Sequence, residues 1–544
     1  MHIQLGFSGP AGSGVNTAGM LLAELLASKG YTIRADKEYA SIIKGDNNNF
    51  FLSISDDGSI LLPKKVDIFL TFDDYSVTKN QEIYDLQNIV NIKSVAAKHK
   101  NTFAFGVALR MLNISLEEGK SIIQTFMKEK YREENFIELE NGYTYGQEQC
   151  NDLCTLVHYA QKIGPAKPLM FGNELVAKGA IQSGLEFYSA YPMTPASSIS
   201  DVILEDPSVT YYQGEDEIAV AMSMLGARFA GKRAMCGTSG GGFALMTESI
   251  SFAHQAEIGG VYILSQRDGP STGTPTFTAQ GDLAYAMNAS FGETSPIVMA
   301  PSTFEEAYSM MGQALNWSDR YQHPLIILLD KQLSEGYLTI NQKKLTLPKI
   351  DRGEIATGGG EDTYLRYKDT KSGISPYAIP GTENTLFIAT SYEHEESGTT
   401  NENPLIKDQQ MQKRFRKRLT FTAQEFAEDF VAYEVINPHV ENFFVTRGIN
   451  RYNIESLIKK KPDRGLIIIK VFHPFSFHLP EFFKNHENQI KKLIFIEMNY
   501  EGQMERVVRQ ECNLTTPERN KKISHHRKYT LYPIFIEELE QYVK

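Results

Sequence analysis

The chain has 544 residues, and its 55 Lys and Arg against 66 Asp and Glu give a net charge of −11. This acidic balance argues against nucleic-acid binding, which needs clustered cations, whereas 42% hydrophobic and 22% charged residues are typical of a globular protein with several domains. No apolar run approaches the roughly 18 to 20 residues of a membrane span, and the start resembles a β-strand rather than a signal peptide, so a cytoplasmic location is expected.

The first segment shows the strand and helix alternation of a parallel α/β sheet. Residues 3–8 are predicted to form a strand and residues 16–28 a helix, joined by the glycine-rich turn 9–15. A Walker A loop needs Lys where Val15 stands, so a nucleoside triphosphatase is not expected. A tight packing turn and a phosphate-binding turn stay equally open. The segment ends at about residue 165, in a proline-containing linker.

The rest of the chain repeats the alternation in two further segments. Between residues 166 and 345, strands are predicted at 185–190, 209–213, 233–237, 260–265 and 324–329, with a helix at 244–257. Residues 346–420 are predicted to be a connector with one exposed helix, because glycines precede a run of mixed charge. Residues 421–544 resume the α/β pattern, with strands at 443–445, 466–471 and 493–497.

The cysteine content argues against a metal cluster within the chain. There are four cysteines, at positions 150, 154, 236 and 512. A [4Fe-4S] cluster held by thiolates alone would need all four, and the two that are close have a CxxxC spacing rather than CxxC. We therefore predict reduced thiols and no metal-ligating residues.

Three polar motifs stand at predicted strand ends, where α/β proteins bind ligands. Two prolines fix the backbone around Thr194 in the motif YPMTPAS, which could equally be a rigid strand exit with a helix cap. Three acids open a predicted helix at 214–219, where the helix dipole alone would favour them. The loop 266–276 offers Arg267 among hydroxyl side chains, which suits a carboxylate ligand, although a surface arginine is the simpler interpretation for this loop alone.

The motif around Ser239 raises an alternative function. Residues 237–241 fit G-x-S-x-G between a strand and a helix, where the nucleophile of a serine hydrolase lies. A triad would also need an acid and a later histidine. Asp330 could be that acid, and the histidine could be His394, His473 or His478.

In order, the motifs YPMTPAS, GEDEIAVAMSMLGARFAGKRA, TSGGGFALMTE and QRDGPSTGTPT with QGDL resemble the α subunit of the 2-oxoacid:ferredoxin oxidoreductases. The start GPAGSGVNTAGMLLAELLASKGY is similar to the γ domain that many members carry fused ahead of the α portion. The resemblance implies three α/β domains: γ-like to residue 165, a thiamine-diphosphate pyrimidine-binding domain over 166–345 and, after the connector 346–420, a transketolase-C-like domain over 421–544.

The resemblance also implies site residues and a reaction. Glu217 would be the catalytic carboxyl that hydrogen-bonds the aminopyrimidine of thiamine diphosphate. The cofactor would also be contacted by Thr238, Ser239 and Gly240. The substrate would be contacted by Tyr191, Thr194, Arg267, Ser271 and Thr272. The enzyme would convert a 2-oxoacid and coenzyme A to an acyl-CoA by oxidative decarboxylation. 2-Oxoglutarate is favoured because a γ-like domain is fused, with pyruvate or a branched-chain oxoacid left open.

Part of the expected active site is missing from this chain. Thiamine enzymes hold magnesium and diphosphate with a G-D-G motif, and no GDG occurs in the sequence. The resemblance places that motif, Mg²⁺ and a [4Fe-4S] cluster on a separate β subunit, which would pass electrons to ferredoxin in an α2β2 assembly. A non-catalytic scaffold with the same fold is a third possibility, beside the enzyme and the hydrolase.

Overall fold

The computed structural model of the chain describes residues 2–40, 45–149, 159, 161–359, 364–426 and 432–543. These residues form three large β-sheets with helices packed against them, which confirms the α/β class. Cys150 and Cys154 lie outside the described residues. Cys236 and Cys512 are buried free thiols, and burial raises the pKa of both well above the usual value of a thiol.

The first sheet is mixed rather than parallel, so the predicted parallel arrangement is wrong in part. Its strands, in the order β7-β5-β1-β3-β2-β15-β8, are β1 (His2–Pro10), β2 (Thr32–Glu38), β3 (Asn47–Ser55), β5 (Ile68–Thr71), β7 (Ile89–Asn91), β8 (Leu169–Phe171) and β15 (Tyr337–Thr339). Strand β3 runs antiparallel to both β1 and β2. The stretch between β2 and β3 is too short for the helical crossover that parallel neighbours need.

The helices of this first part are α1 (Val15–Ser28), α2 (Asp74–Gln81), α3 (Lys100–Met111), α4 (Leu116–Phe126) and α5 (Arg132–Gln149), with a small ribbon of β4 (Lys65–Val66) and β6 (Asp85–Leu86). Strands β8 and β15 come from beyond residue 165 and pair antiparallel, with Tyr337 opposite both Ala35 and Phe171. The first sheet therefore ties the N-terminal segment to the one that follows.

The second sheet contains all five strands predicted between residues 166 and 345, paired in parallel. Its strands, in the order β10-β9-β11-β12-β14-β13-β19, are β9 (Phe187–Ala190), β10 (Thr210–Gln213), β11 (Ala234–Thr238), β12 (Gly260–Gln266), β13 (Ile297–Met299), β14 (Pro324–Asp330) and β19 (Val471–His473). Its helices are α6 (Gly172–Gln182), α7 (Ser198–Ile203), α8 (Glu217–Phe229), α9 (Gly240–Leu245), α10 (Thr247–Gln255), α11 (Leu283–Met287), α12 (Phe304–Tyr321) and α13 (Lys331–Glu335).

The single helix predicted at 244–257 is wrong, because the structure has two helices there, α9 and α10. The first begins inside the glycine run, at Gly240. At the junction the carbonyl of Met246 accepts a hydrogen bond from the Ser249 hydroxyl at 2.6 Å, and such side-chain bonds to the backbone compete with regular helix geometry.

The third sheet has the order β16-β18-β17-β20-β21, with strands β16 (Tyr433–Ile436), β17 (Asn442–Thr446), β18 (Arg464–Ile469), β20 (Lys492–Glu497) and β21 (Ile523–Arg527). The remaining helices are α14 (Pro404–Glu425), α15 (Arg451–Lys460), α16 (His478–Asn485), α17 (Gln503–Glu511), α18 (Pro517–Asn520) and α19 (Ile536–Glu540). The strand predicted at 466–471 is divided, since β18 lies in this sheet and β19 pairs antiparallel with β13 of the second. This exchange joins the C-terminal segment to the middle one.

The charge pattern of the connector predicts an exposed helix, but one face of α14 is buried. Lys413, Arg414 and Lys417 on one helix face are fully buried. Lys413 Nζ donates to the Glu257 carboxylate at 2.6 and 2.7 Å, and Lys417 pairs with the same carboxylate. Although burial opposes it, the two ammonium groups hold the pKa of Glu257 well below its usual range. A charge run that looks solvated is thus buried against an acid distant in sequence.

Candidate active site

The candidate site lies at the carboxyl edge of the second sheet. Strands β10, β9, β11 and β12 are neighbours in that order, and each ends at a loop that carries one of the sequence motifs. Because parallel strands end at the same edge, the sheet brings the four loops together. The pairing of strands that are distant in sequence therefore assembles a site from residues 191–282.

Glu217 is the first residue of α8, which Asp216 caps by accepting a hydrogen bond from the Ala219 backbone N–H at 2.8 Å. The Glu217 side chain is only 4% exposed, and its Oε1 has no hydrogen-bond partner among the described residues. A buried carboxylate oxygen is costly to leave unpaired, so this atom needs a ligand donor.

A glycine lies directly beside this carboxylate. A Cβ atom built on Gly242 would stand 2.3 Å from Glu217 Oε1 and 2.2 Å from Thr238 Oγ1, far inside van der Waals contact. The absence of a side chain at Gly242 therefore keeps the space beside Glu217 and Thr238 open. Thr238 ends β11, and Gly240 opens α9 on the same turn.

The Ser239 hydroxyl is fully buried and has no hydrogen-bond partner among the described residues. The groups nominated for a hydrolase triad all bond elsewhere. Asp330 accepts from Gln280 and from the backbone N–H groups of Leu333 and Ile449, and His394, His473 and His478 each lie against a backbone carbonyl oxygen. Within the described part of the chain, no triad geometry forms at Ser239.

Arg267 and Thr194, which stand in two different sequence motifs, are brought into contact. Arg267 follows β12, and its Nη1 donates to the Thr194 carbonyl oxygen at 2.7 Å. Asn173 donates to the carbonyl of Pro195 at 2.7 Å, which pins the same turn from the other side. The remaining guanidinium N–H groups of Arg267 have no hydrogen-bond acceptor among the described residues, so they can bind an anion. Burial lowers the pKa of Arg267, and the nearby Asp282 opposes this shift.

The other predicted substrate residues lie further out. Tyr191 is exposed where β9 leaves the sheet. Ser271 and Thr272 are exposed on a loop whose two sides are bridged by Asp268 and Thr274. The structure thus places these three side chains at the rim of the site rather than around Glu217.

Sequence reasoning missed three residues next to the site: Arg447 and Asn499, which are buried, and Asp282, which is half-buried. Arg447, from the C-terminal segment, donates to the Gln280 carbonyl oxygen at 2.9 Å and to Gln266 Oε1 at 3.4 Å. Asn499 also donates to the Gln280 carbonyl oxygen, at 3.2 Å. Asp282 stands at the start of α11 and faces the Gly240 turn. The QGDL motif, which contains Asp282, was the available signal in the sequence.

Two cavities adjoin the site. One, of about 580 Å³, lies between the first and second sheets, and its lining includes Lys37, Tyr39, Asp46, Ser198 and Glu335. The Tyr39 hydroxyl donates to Glu335 at 2.8 Å, so the N-terminal segment is fastened next to the site.

The second cavity, of about 710 Å³, is an open groove beside α8. Its lining includes Ile218, Met222, Leu245 and Phe291, all large apolar side chains that are exposed to solvent. Ile218 directly follows Glu217 in the chain, and its side chain is exposed at the groove whereas that of Glu217 is buried. In the part of the chain that the structure describes, no group of three or more His, Cys, Asp and Glu side chains could hold a metal ion, and no helix is long and apolar enough to cross a membrane.

Comparison with protein families gives two matches along this chain. Residues 178–413 match the family described as pyruvate flavodoxin/ferredoxin oxidoreductase, thiamine diphosphate binding, and residues 4–90 match the family described as pyruvate ferredoxin/flavodoxin oxidoreductase. The 2-oxoacid:ferredoxin oxidoreductase α subunit of Sulfolobus sp is 29% identical over 94% of this chain and 92% of its own length.

Two further matches have names that include 2-oxoglutarate. The 2-oxoglutarate synthase subunit KorA of Methanocaldococcus jannaschii is 30% identical over 63% of this chain and 91% of its own length. A solved structure of 2-oxoglutarate:ferredoxin oxidoreductase from Magnetococcus marinus, with 2-oxoglutarate, coenzyme A and succinyl-CoA bound, matches with a TM-score of 0.84 and 26% identity over 100% of this chain and 99% of that one. The chain belongs to the 2-oxoacid:ferredoxin oxidoreductases, as an α subunit with a thiamine-diphosphate-binding domain.

Proposed function

We propose that this subunit, together with a second one, carries out the oxidative decarboxylation of 2-oxoglutarate. A 2-oxoacid and coenzyme A would give an acyl-CoA, carbon dioxide, a proton and two electrons, and the electrons would pass to ferredoxin. The observation that carries this proposal is the buried Glu217 carboxylate, whose unpaired Oε1 faces the space that Gly242 leaves open. An acyl-transferring hydrolase at Ser239 has no comparable support.

The residues around that space fit thiamine diphosphate. Glu217 would accept a hydrogen bond from the pyrimidine ring of the cofactor and hold a proton there, while Thr238, Ser239 and Gly240 would line the ring. The unpaired Ser239 hydroxyl would gain a partner in the same way. When bound, the cofactor supplies a carbon nucleophile that can take up the electron pair released as carbon dioxide leaves.

The substrate would bind between Thr194 and Arg267. The free N–H groups of Arg267 would pair with its carboxylate, while the bond from Nη1 to the Thr194 carbonyl fixes the direction of the guanidinium. Tyr191, Ser271 and Thr272 would close over the substrate from the rim. The names of the KorA relative and of the Magnetococcus structure support 2-oxoglutarate over pyruvate.

Replacing Arg267 with Gln is expected to raise KM for the 2-oxoacid by at least about tenfold, since a charge-assisted pair contributes about 1.5–3 kcal/mol. The measurement is viologen reduction by the assembled enzyme with thiamine diphosphate and coenzyme A, at varied 2-oxoglutarate. The exposed Arg506, which pairs with Glu501 on the protein surface, supplies the control Arg506→Gln, whose KM should stay at the wild-type value. Equal KM values for all three proteins would contradict the role of Arg267.

Coenzyme A would reach the site through the cavity between the first and second sheets. That cavity of about 580 Å³ has room for the slender arm of the molecule, and Lys37 on its wall could face a phosphate group. We propose functional units over residues 1–165, 166–345, 346–420 and 421–544. The first would take part in coenzyme A binding, the second would hold the pyrimidine ring and the last would buttress the site.

The missing half of the site would come from a β subunit. That partner would carry the GDG motif, Mg²⁺ and a [4Fe-4S] cluster, within an α2β2 assembly that delivers electrons to ferredoxin. The apolar groove beside α8 supports this arrangement, because large exposed apolar patches mark protein interfaces and this one is lined by Ile218 and Met222 of the helix that begins at Glu217.

Replacing Met222 with Glu is expected to prevent assembly with the β subunit. Met222 is 43% exposed on α8, and a carboxylate there would be buried without a partner in the interface, which costs several kcal/mol. Co-expression and size-exclusion chromatography test this, with viologen reduction as the second measurement. Leu405→Glu, at a side chain 78% exposed on α14, is the control and should assemble normally. Full activity of the isolated wild-type chain would contradict the shared active site.

A further inference from the structure

Asp282 is a carboxyl group in the candidate site to which the proposed reaction gives no task. It occupies the N-cap position of α11, yet its side chain makes no capping bond. Its backbone N–H donates to Gln266 Oε1 at 3.2 Å, which holds Asp282 against the residue that precedes Arg267. Its carboxylate lies over the Gly240 turn, where a Cβ on Gly240 would stand 3.1 Å from Oδ2. A side chain at Gly240 would press on the carboxylate, which would have to move by a few tenths of an ångström.

The Asp282 carboxylate interacts with its neighbours through charge rather than through hydrogen bonds. Among the described residues its oxygens accept no hydrogen bond and form no ion pair, and the cations whose charges act on it are the fully buried Arg447 and Arg267. Tyr285 of α11 also faces it. The groups one step further away are Glu497 and Asp330, near Arg447, and Tyr39, near Arg267. Asp282 is therefore the carboxylate whose charge acts most strongly on Arg267.

We propose that Asp282 is a positioning residue that competes with the substrate carboxylate for the Arg267 guanidinium and so sets the affinity of the site for 2-oxoacids. The inference rests on the proposed function, because it takes Arg267 as the carboxylate-binding group. An ionised Asp282 draws the guanidinium toward α11 and repels an incoming carboxylate. A protonated Asp282 leaves Arg267 to the substrate.

The charge of Asp282 depends on pH. Burial raises the pKa of Asp282 to about 6, although Arg447 and Arg267 oppose the shift. Below that pH the competing charge is lost, and above it the charge is present. Substrate affinity should therefore fall as the pH rises through about 6, while the steps after binding keep their own pH dependence.

The test compares KM and kcat for 2-oxoglutarate between about pH 5.5 and about pH 8 in the assembled enzyme with thiamine diphosphate and coenzyme A. For the wild type we expect KM to rise about three- to tenfold across this range. For Asp282→Asn, which keeps the shape but not the charge, we expect a low KM that changes less than about twofold, with the kcat profile unchanged. Asp282→Ser should behave in the same way if the asparagine variant folds poorly.

Two outcomes overturn the inference: an asparagine variant whose KM follows the wild-type profile, or one whose KM exceeds the wild-type value at every pH. Arg267→Gln, measured in parallel, separates this from a failure of the proposed function. If Arg267→Gln raises KM and removes its pH dependence, Arg267 binds the substrate and the Asp282 variants decide the inference. If Arg267→Gln leaves KM unchanged, the proposed substrate site is wrong, and the competition inferred for Asp282 is wrong with it.

Discussion

Replacing Glu217 with Gln is expected to lower kcat by at least about 10²-fold in the assembled enzyme. The buried carboxylate presents Oε1 without a protein partner, so it is available to accept a hydrogen bond and hold a proton at the cofactor ring. A glutamine fills the same space but cannot exchange a proton. The measurement is viologen reduction at saturating 2-oxoacid, coenzyme A and thiamine diphosphate.

The matched control is Glu215→Gln, two residues earlier in the same motif. Glu215 is exposed before α8 begins, so the same loss of charge should leave kcat within about twofold of the wild type. Thermal unfolding of both variants shows whether the protein stays folded. If Glu217→Gln and Glu215→Gln reduced turnover equally, the assignment of Glu217 would be wrong.

The parts of the fold that could be predicted from the sequence are those set by local patterns. Buried parallel strands such as β12 and β14 appear as continuous apolar runs, and all five strands predicted between residues 166 and 345 are present, including the largely exposed edge strand β10. Pairing between distant segments leaves no such local signal. Strands β8 and β15 join a sheet that begins more than 150 residues earlier, and β19 leaves its neighbour β18 for another sheet. Partner choice of this kind depends on packing rather than on propensity.

In the candidate site, too, residues within local motifs could be predicted from the sequence, and residues brought in from distant segments could not. Glu217, Thr194 and Arg267 stand at strand ends within recognisable motifs, and the structure brings the last two into contact. Arg447 lies far along the chain, and its burial behind Gln266 depends on how the C-terminal segment packs. The mixed charges of α14 predict an exposed helix, and this prediction is wrong for a related reason. Glu257, the partner of Lys413 and Lys417, belongs to another segment, and a buried ion pair cannot be told from a solvated face without knowing that partner.

Replacing Gly242 with Ala is expected to abolish most of the activity, with kcat at least about 10²-fold lower, because it moves the proposed catalytic carboxylate without removing it. The added methyl group would stand 2.3 Å from Glu217 Oε1 and 2.2 Å from Thr238 Oγ1, so both side chains must shift, and a displacement near 1 Å costs about that factor. We expect the apparent affinity for thiamine diphosphate, measured by calorimetry on the assembled enzyme, to fall as well.

The neighbouring glycine makes this prediction specific. A Cβ on Gly241 would meet no atom within 4 Å, so Gly241→Ala changes the same backbone turn in the same chemical way without touching the site. Because a methyl at Gly241 fills no part of the site, its kcat should stay within about twofold of the wild type, and overpacking at Gly242 should cost only about 1–3 kcal/mol of stability. Equal losses in the two variants would assign the defect to the turn as a whole. A loss confined to Gly242→Ala would show that the space beside Glu217 is what the reaction requires, and that a glycine keeps it open.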